Sequence, residues 1–173
     1  MIANETVANT GVEQGHKVLV TCVGNPYRQD DGVGLLVASL LEAESPDNEV
    51  EVQRQSGDGV SLLEAWQGAS DVVLVDAART GALPGTVYRV QVSARPVCST
   101  LFPYSTHAFG AAEAIEMARV LGTLPSRLVI YAIEGAEYGS GTEISPQVEE
   151  AAQRVARSVL AYAHAGPLQP AKS

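Results

Sequence analysis

Three short stretches hold the side chains best suited to chemistry. Asp30 and Asp31 stand together in the loop GNPYRQDDGVG, Asp76 stops the apolar run VVLV, and His107 follows Ser105-Thr106 just ahead of a helix. Two carboxylates and an imidazole suit a borderline divalent metal such as nickel or zinc. The same set also suits a general acid/base pair with an orienting group. With three protein ligands a metal would keep open positions, unlike a structural zinc held by thiolates. No G-x-S-x-G marks an activated serine, and no G-x-G-x-x-G or G-x-x-x-x-G-K-[ST] marks a nucleotide loop.

Each residue also has a plainer role. Asp30 or Asp31 can cap the following helix and favour its dipole. That accounts for one aspartate. Adjacent aspartates repel, so the second points to a cation or a basic partner. Asp76 alone reads as a strand-end cap, and a lone His107 as a structural histidine. Their value rises because strand ends converge in an α/β fold.

The elements that would position these residues follow from periodicity. Lys17–Val23, Asp71–Val75 and Leu128–Ile133 are nearly continuous apolar runs, the pattern of strands buried on both faces. Glu49–Gln53 alternates, and Thr86–Val92 alternates strictly. Val33–Ala43 reads as a helix with Leu35, Leu36, Leu40 and Leu41 on one face. A short helix is expected near Val60–Trp66. Another covers Ala111–Leu121, with Ala112, Ile115, Ala118 and Leu121 inward. The last opens at Ser145-Pro146, an N-cap followed by proline at the first helical position. Residues 93–108 read as loop.

Alternating strands and helices predict an α/β three-layer sandwich: a twisted, mostly parallel sheet of about five strands with helices on both faces. Thr86–Val92 follows its predecessor without a helix and is the candidate antiparallel edge strand. Ligands of such sheets sit beyond the carboxyl ends of the strands. The chain of 173 residues suits one domain, expected over 16–165, with a loose leader over 1–15 and a disordered tail over 166–173.

Composition narrows the partners. Twenty acidic against eleven basic residues give a formal charge of -9, which opposes binding to nucleic acid or anionic lipid. Cys22 and Cys98 lack metal or redox spacing, and Cys22 reads as a small buried hydrophobe. The polar N-terminus has no signal-peptide core and no stretch is long enough to cross a membrane. A cytoplasmic location is expected.

The pieces VGNPYRQDDGVG, VVLVDA, STHAFG and IEGAEYGSGTEISPQVEEA, in that order across Val18 to Ala161, resemble the nickel–iron hydrogenase maturation proteases. The resemblance implies a three-layer α/β endopeptidase that removes a C-terminal extension from the nickel-loaded large-subunit precursor. It implies that Asp31, Asp76 and His107 contact the metal. The nickel would come with the substrate, and the resting enzyme would usually be empty. Whether the metal polarises the scissile carbonyl or a carboxylate activates water stays open.

One segment departs from the family pattern. Where many members carry an Asp-Gly-Gly-Thr-like stretch, this chain has Arg54-Gln55-Ser56-Gly57-Asp58-Gly59. Asn25, Asp30, Gln55 and Asp58 are expected to contact substrate. The altered loop leaves a second reading, an accessory factor that binds metal or precursor without cleaving. A hydrolase of another substrate on a similar fold is a third.

Overall fold

A computed structural model describes residues 17–44, 49–92 and 110–166. Strands β1 (Val18–Val23), β2 (Val50–Gln55), β3 (Asp71–Ala78), β4 (Val87–Val92) and β5 (Arg127–Glu134) form one sheet in the order β2-β1-β3-β5-β4. Every neighbouring pair is parallel except β4 with β5. The expected antiparallel edge strand is therefore β4, with Val87 opposite Ile133. The helices are α1 (Val33–Glu44), α2 (Gly59–Ala65), α3 (Ala111–Leu121) and α4 (Pro146–Ala165).

Strand alternation divides the interior into two cores. Val18, Val20 and Cys22 of β1, with Val73 and Val75 of β3, pack under α1 and α4. Leu19 and Val23, with Val72 and Leu74, pack under α2 and α3. On that second side the Trp66 indole N–H donates to the Thr21 hydroxyl at 3.2 Å, which satisfies a buried polar pair. This double burial explains the unbroken apolar runs of β1, β3 and β5. Burial also pushes the Cys22 thiol up to about 12, so it behaves as the inert hydrophobe expected.

Two helix faces match expectation only in part, with Leu41, Ile115 and Ala118 buried as expected. In α1 the buried residues are Val33, Gly34, Val37, Ala38 and Leu41, and Leu35, Leu36 and Leu40 are only partly covered. In α3 they are Ala111, Ala114, Ile115 and Ala118, whereas Leu121 is 61% exposed. Small residues let a backbone approach its neighbour closely, so the buried face is the one with glycine and alanine. Strand β3 also runs past its expected end at Val75. Asp76 pairs in register with Ala132, inside the strand instead of capping it. Among the described residues no helix is long and apolar enough to cross a membrane.

The leader and most of the tail lie outside the described residues, as do Cys98 and the 93–108 loop.

Candidate active site

The chain leaves β1 toward β2 on one side and later returns to place β3 on the other. This makes the carboxyl ends of β1 and β3 a topological switch point, where such sheets bind ligands. The N-terminus of α1 is wedged against it. A Cβ on Gly34 would clash with the Val23 carbonyl oxygen and stand 2.9 Å from that of Val75. Only glycine allows the helix to start this close to both strand ends. A 3-10 turn over Gln29–Gly32 precedes α1, contacts β3, and carries Asp30 and Asp31. Gly24 makes room for it: a Cβ there would meet the Asp31 carbonyl at 2.5 Å.

Asp31 and Asp76 come together. Asp76 is partly buried, and its carboxylate accepts a 2.8 Å hydrogen bond from the Ala77 amide. Burial pushes its pKa up to about 7; the Ala77 bond opposes the shift, and the negative charge of Asp31 adds to it. Two acids from separate segments thus repel each other across the switch point. His107 lies outside the described residues. They resume at Gly110, the N-cap of α3, whose amide donates to the Glu113 carboxylate at 3.0 Å.

The neighbouring aspartate does something else. Asp30 is fully buried, and one carboxylate oxygen accepts from the Ala136 amide (2.7 Å), the Glu137 amide (2.9 Å) and the Ser145 hydroxyl (2.8 Å). The other accepts from the Ser145 amide at 2.7 Å. Burial works against its charge, but these bonds outweigh it and hold the carboxyl below its ordinary value. The expected substrate contact by Asp30 is corrected: every donor it meets belongs to the loop between β5 and α4. Ser145 is the N-cap of α4 as expected, yet its hydroxyl serves Asp30 and not the helix amides.

The remaining candidates are spread around this centre. Asn25 is exposed, and its side-chain oxygen accepts from the Tyr27 amide at 3.0 Å. Gln55 ends β2 with its side chain partly buried; its carbonyl accepts from the Gly24 amide. Asp58 caps α2, accepting from the Ser61 amide at 3.0 Å and the Ser61 hydroxyl at 2.9 Å. Arg54 turns onto α1, where it pairs with Glu42 and donates to the Ser39 hydroxyl. The departure from the family pattern at Arg54 therefore has a local use in joining β2 to α1.

Two polar residues were not singled out by sequence reasoning. The buried Glu134 carboxylate accepts from the Thr80 and Gly81 amides, each at 2.8 Å, and from the Thr80 hydroxyl at 2.9 Å. The Tyr138 hydroxyl donates to the Ala78 carbonyl and accepts from the Gly135 amide at 3.0 Å. A charged residue ending an apolar strand and followed by glycine, as in IEG, was the available signal.

Comparison with known proteins decides the family. The family model described as hydrogenase maturation protease (HycI) matches residues 35–162. The chain belongs to the hydrogenase maturation protease family. The match includes Asp76 and begins beyond Asp31. The hydrogenase expression/formation protein HupD of Thiocapsa roseopersicina is 26% identical over 148 residues, 84% of this chain and 67% of its own length. HupD of Rhodobacter capsulatus is 25% identical over 152 residues, 84% of this chain and 72% of its own. The hydrogenase maturating endopeptidase HybD from E. coli shares the fold with a TM-score of 0.71 at 23% identity, covering 86% of this chain and 93% of that one. The hydrogenase 2 maturation peptidase of Thaumarchaeota archaeon SCGC_AB-539-E09 superimposes with a TM-score of 0.63 at 25% identity, covering 84% and 97%. This maturation protease is thus a peptidase, and its strand order places two of the expected acids at one sheet edge. Among the described residues of the protease, no three His, Cys, Asp or Glu side chains form a metal-sized cluster. Asp31 and Asp76 supply two carboxylates.

Proposed function

We propose that this protease removes a C-terminal extension from a nickel-loaded hydrogenase large-subunit precursor, with Asp31, Asp76 and His107 meeting the nickel that the precursor carries. The observation that supports this most is geometric: the turn carrying Asp31 packs against β3, which carries Asp76, where α1 is wedged onto the ends of β1 and β3. Two carboxylates that repel in a partly buried crevice are stabilised by a divalent cation arriving between them. Carboxylate and imidazole suit nickel, and such a set leaves positions for thiolates of the partner. Shared ligation makes cleavage conditional on the metal being present.

In the free protein Asp76, with a pKa near 7, holds a proton part of the time at neutral pH, and a cation bound between the acids would displace that proton and leave both carboxylates charged. The bound metal would then polarise the scissile carbonyl, or a carboxylate it does not occupy would activate water. Of the expected contacts, Asn25 and Asp58 follow β1 and β2 and Gln55 is the last residue of β2, so all three belong to the carboxyl end of the sheet.

The test is mass spectrometry of a purified precursor after incubation with the protease. A fixed mass loss from nickel-loaded precursor, with nickel-free precursor intact, is the expected result. Equal cutting of both rejects the metal check. No mass loss from either favours a binding role without cleavage.

A further inference from the structure

The motif IEGAEYGSGTEIS contains the loop between β5 and α4, residues 135–145, and this loop bonds in two directions. Toward β3, the Gly135 amide donates to the Ala78 carbonyl at 3.1 Å, and the Tyr138 hydroxyl donates to the same oxygen. Glu134, just before the loop, holds Thr80 and Gly81. These contacts fix the strand end that carries Asp76. Toward the 3-10 turn, the Ala136, Glu137 and Ser145 amides and the Ser145 hydroxyl all donate to the Asp30 carboxylate. The Asp30 amide donates back to the Glu137 carbonyl at 3.0 Å, and the Gln29 amide to the Gly141 carbonyl at 2.9 Å. These contacts fix the turn that carries Asp31.

Gln29 is the one non-glycine residue with positive φ among those described, at 50°. Such a backbone persists only where its surroundings hold it. Its side-chain oxygen accepts from the Gly139 amide at 2.8 Å, so the same loop holds it.

We infer that Asp30 is a positioning residue: through the loop 135–145 it sets where Asp31 stands relative to Asp76. The inference rests on the proposed role of that acid pair. The turn that carries Asp31 spans only Gln29–Gly32, so the bonds that Gln29 and Asp30 make to the loop decide where it stands. A buried carboxylate that accepts four hydrogen bonds from one loop resists movement of the turn, because releasing the loop leaves the buried charge of Asp30 without its partners. The pair is then presented before the substrate arrives, as a preorganised site requires.

The experiment compares wild type with Asp30→Asn, Ser145→Ala and Asp31→Ala on nickel-loaded precursor, at a temperature where each is folded. Asp30→Asn places an amide NH2 against backbone N–H donors. Its kcat is expected to fall about tenfold or more, with KM for precursor within about twofold of wild type. Ser145→Ala removes the hydroxyl donor alone and is expected to give a smaller fall of the same kind. In ¹H–¹⁵N spectra the Asp30→Asn change should move the Ala136, Glu137 and Ser145 amides and leave Thr80 and Gly81 in place. Wild-type kcat in Asp30→Asn, or a loss matching its unfolded fraction, overturns the inference. If Asp30→Asn does not fold, Ser145→Ala decides, and wild-type kcat there overturns it. Full cleavage by Asp31→Ala instead rejects the proposed acid pair itself, so the two failures are distinct.

Discussion

Asp31, in the turn before α1, adds its negative charge to the burial that already raises the pKa of Asp76 in β3. The relationship joins two segments far apart in the chain and meeting at the ends of adjacent strands. It also costs the folded protein stability once pH rises far enough to ionise Asp76.

The first prediction concerns pH. The Asp76 pKa rises from 3.8 to about 7 on folding, so the folded state binds this proton more tightly. Its contribution to stability is fully present below about 3.8 and is lost as pH rises to about 7. Asp76→Asn should therefore be more stable than wild type at pH 8, on the order of 1–3 kcal/mol, and gain nothing at pH 3.5. Asp31→Ala should lower the Asp76 pKa yet leave it above 3.8, because burial is the larger cause. Thermal unfolding across this range and side-chain carboxyl NMR check both. A pH-independent difference between wild type and Asp76→Asn would count against the assigned cause.

A second prediction separates the acids from the frame. Asp31→Ala, Asp76→Ala and His107→Ala should each reduce precursor cleavage about 10²–10⁴-fold, the contribution of a positioned acid–base group. Circular dichroism should remain that of wild type. Cleavage within a factor of about two of wild type in any one of them removes that residue from the mechanism.

How much of this was legible depended on the range of the interaction. Strands β1, β3 and β5 were readable because burial on both faces leaves an unbroken apolar run. Pro146 and Ser145 marked the start of α4 by local rules alone. The inner faces of α1 and α3 were legible only in part: Leu41, Ile115 and Ala118 are buried as expected, but Gly34, Ala38 and Ala114 are buried too and carry little hydrophobic signal. Asp30 and Asp31 could not be told apart by type. What separates them is a set of donors 106 to 115 residues away, fixed by strand order and invisible to local patterning.

A third prediction addresses Asp58, expected from the sequence to meet substrate and found capping α2. Asp58→Ala should cost about 1 kcal/mol, a fall in Tm of roughly 2–4 °C. A cap and a substrate contact are separable by kinetics. Unchanged KM for precursor with lowered Tm assigns Asp58 to the helix alone. A raised KM restores the substrate role beside it.

The last prediction tests the wedge that brings the acid-bearing turn to the strand ends. Gly→Ala inside a helix ordinarily stabilises by roughly 0.5–1 kcal/mol. At Gly34 the sign should reverse, because the new Cβ would meet the carbonyl oxygens of Val23 and Val75, which are backbone and cannot rotate aside. Relief requires α1 to lift from β1 and β3, opening the core around Val33, Val37 and Ala38. Gly34→Ala should therefore lose about 3 kcal/mol or more, read as a shift of the urea midpoint. In whatever fraction remains folded, the Asp31 turn moves with the helix, so Asp76 should titrate lower than in wild type. A stable Gly34→Ala with an unmoved Asp76 would show that the turn is held in place without the wedge.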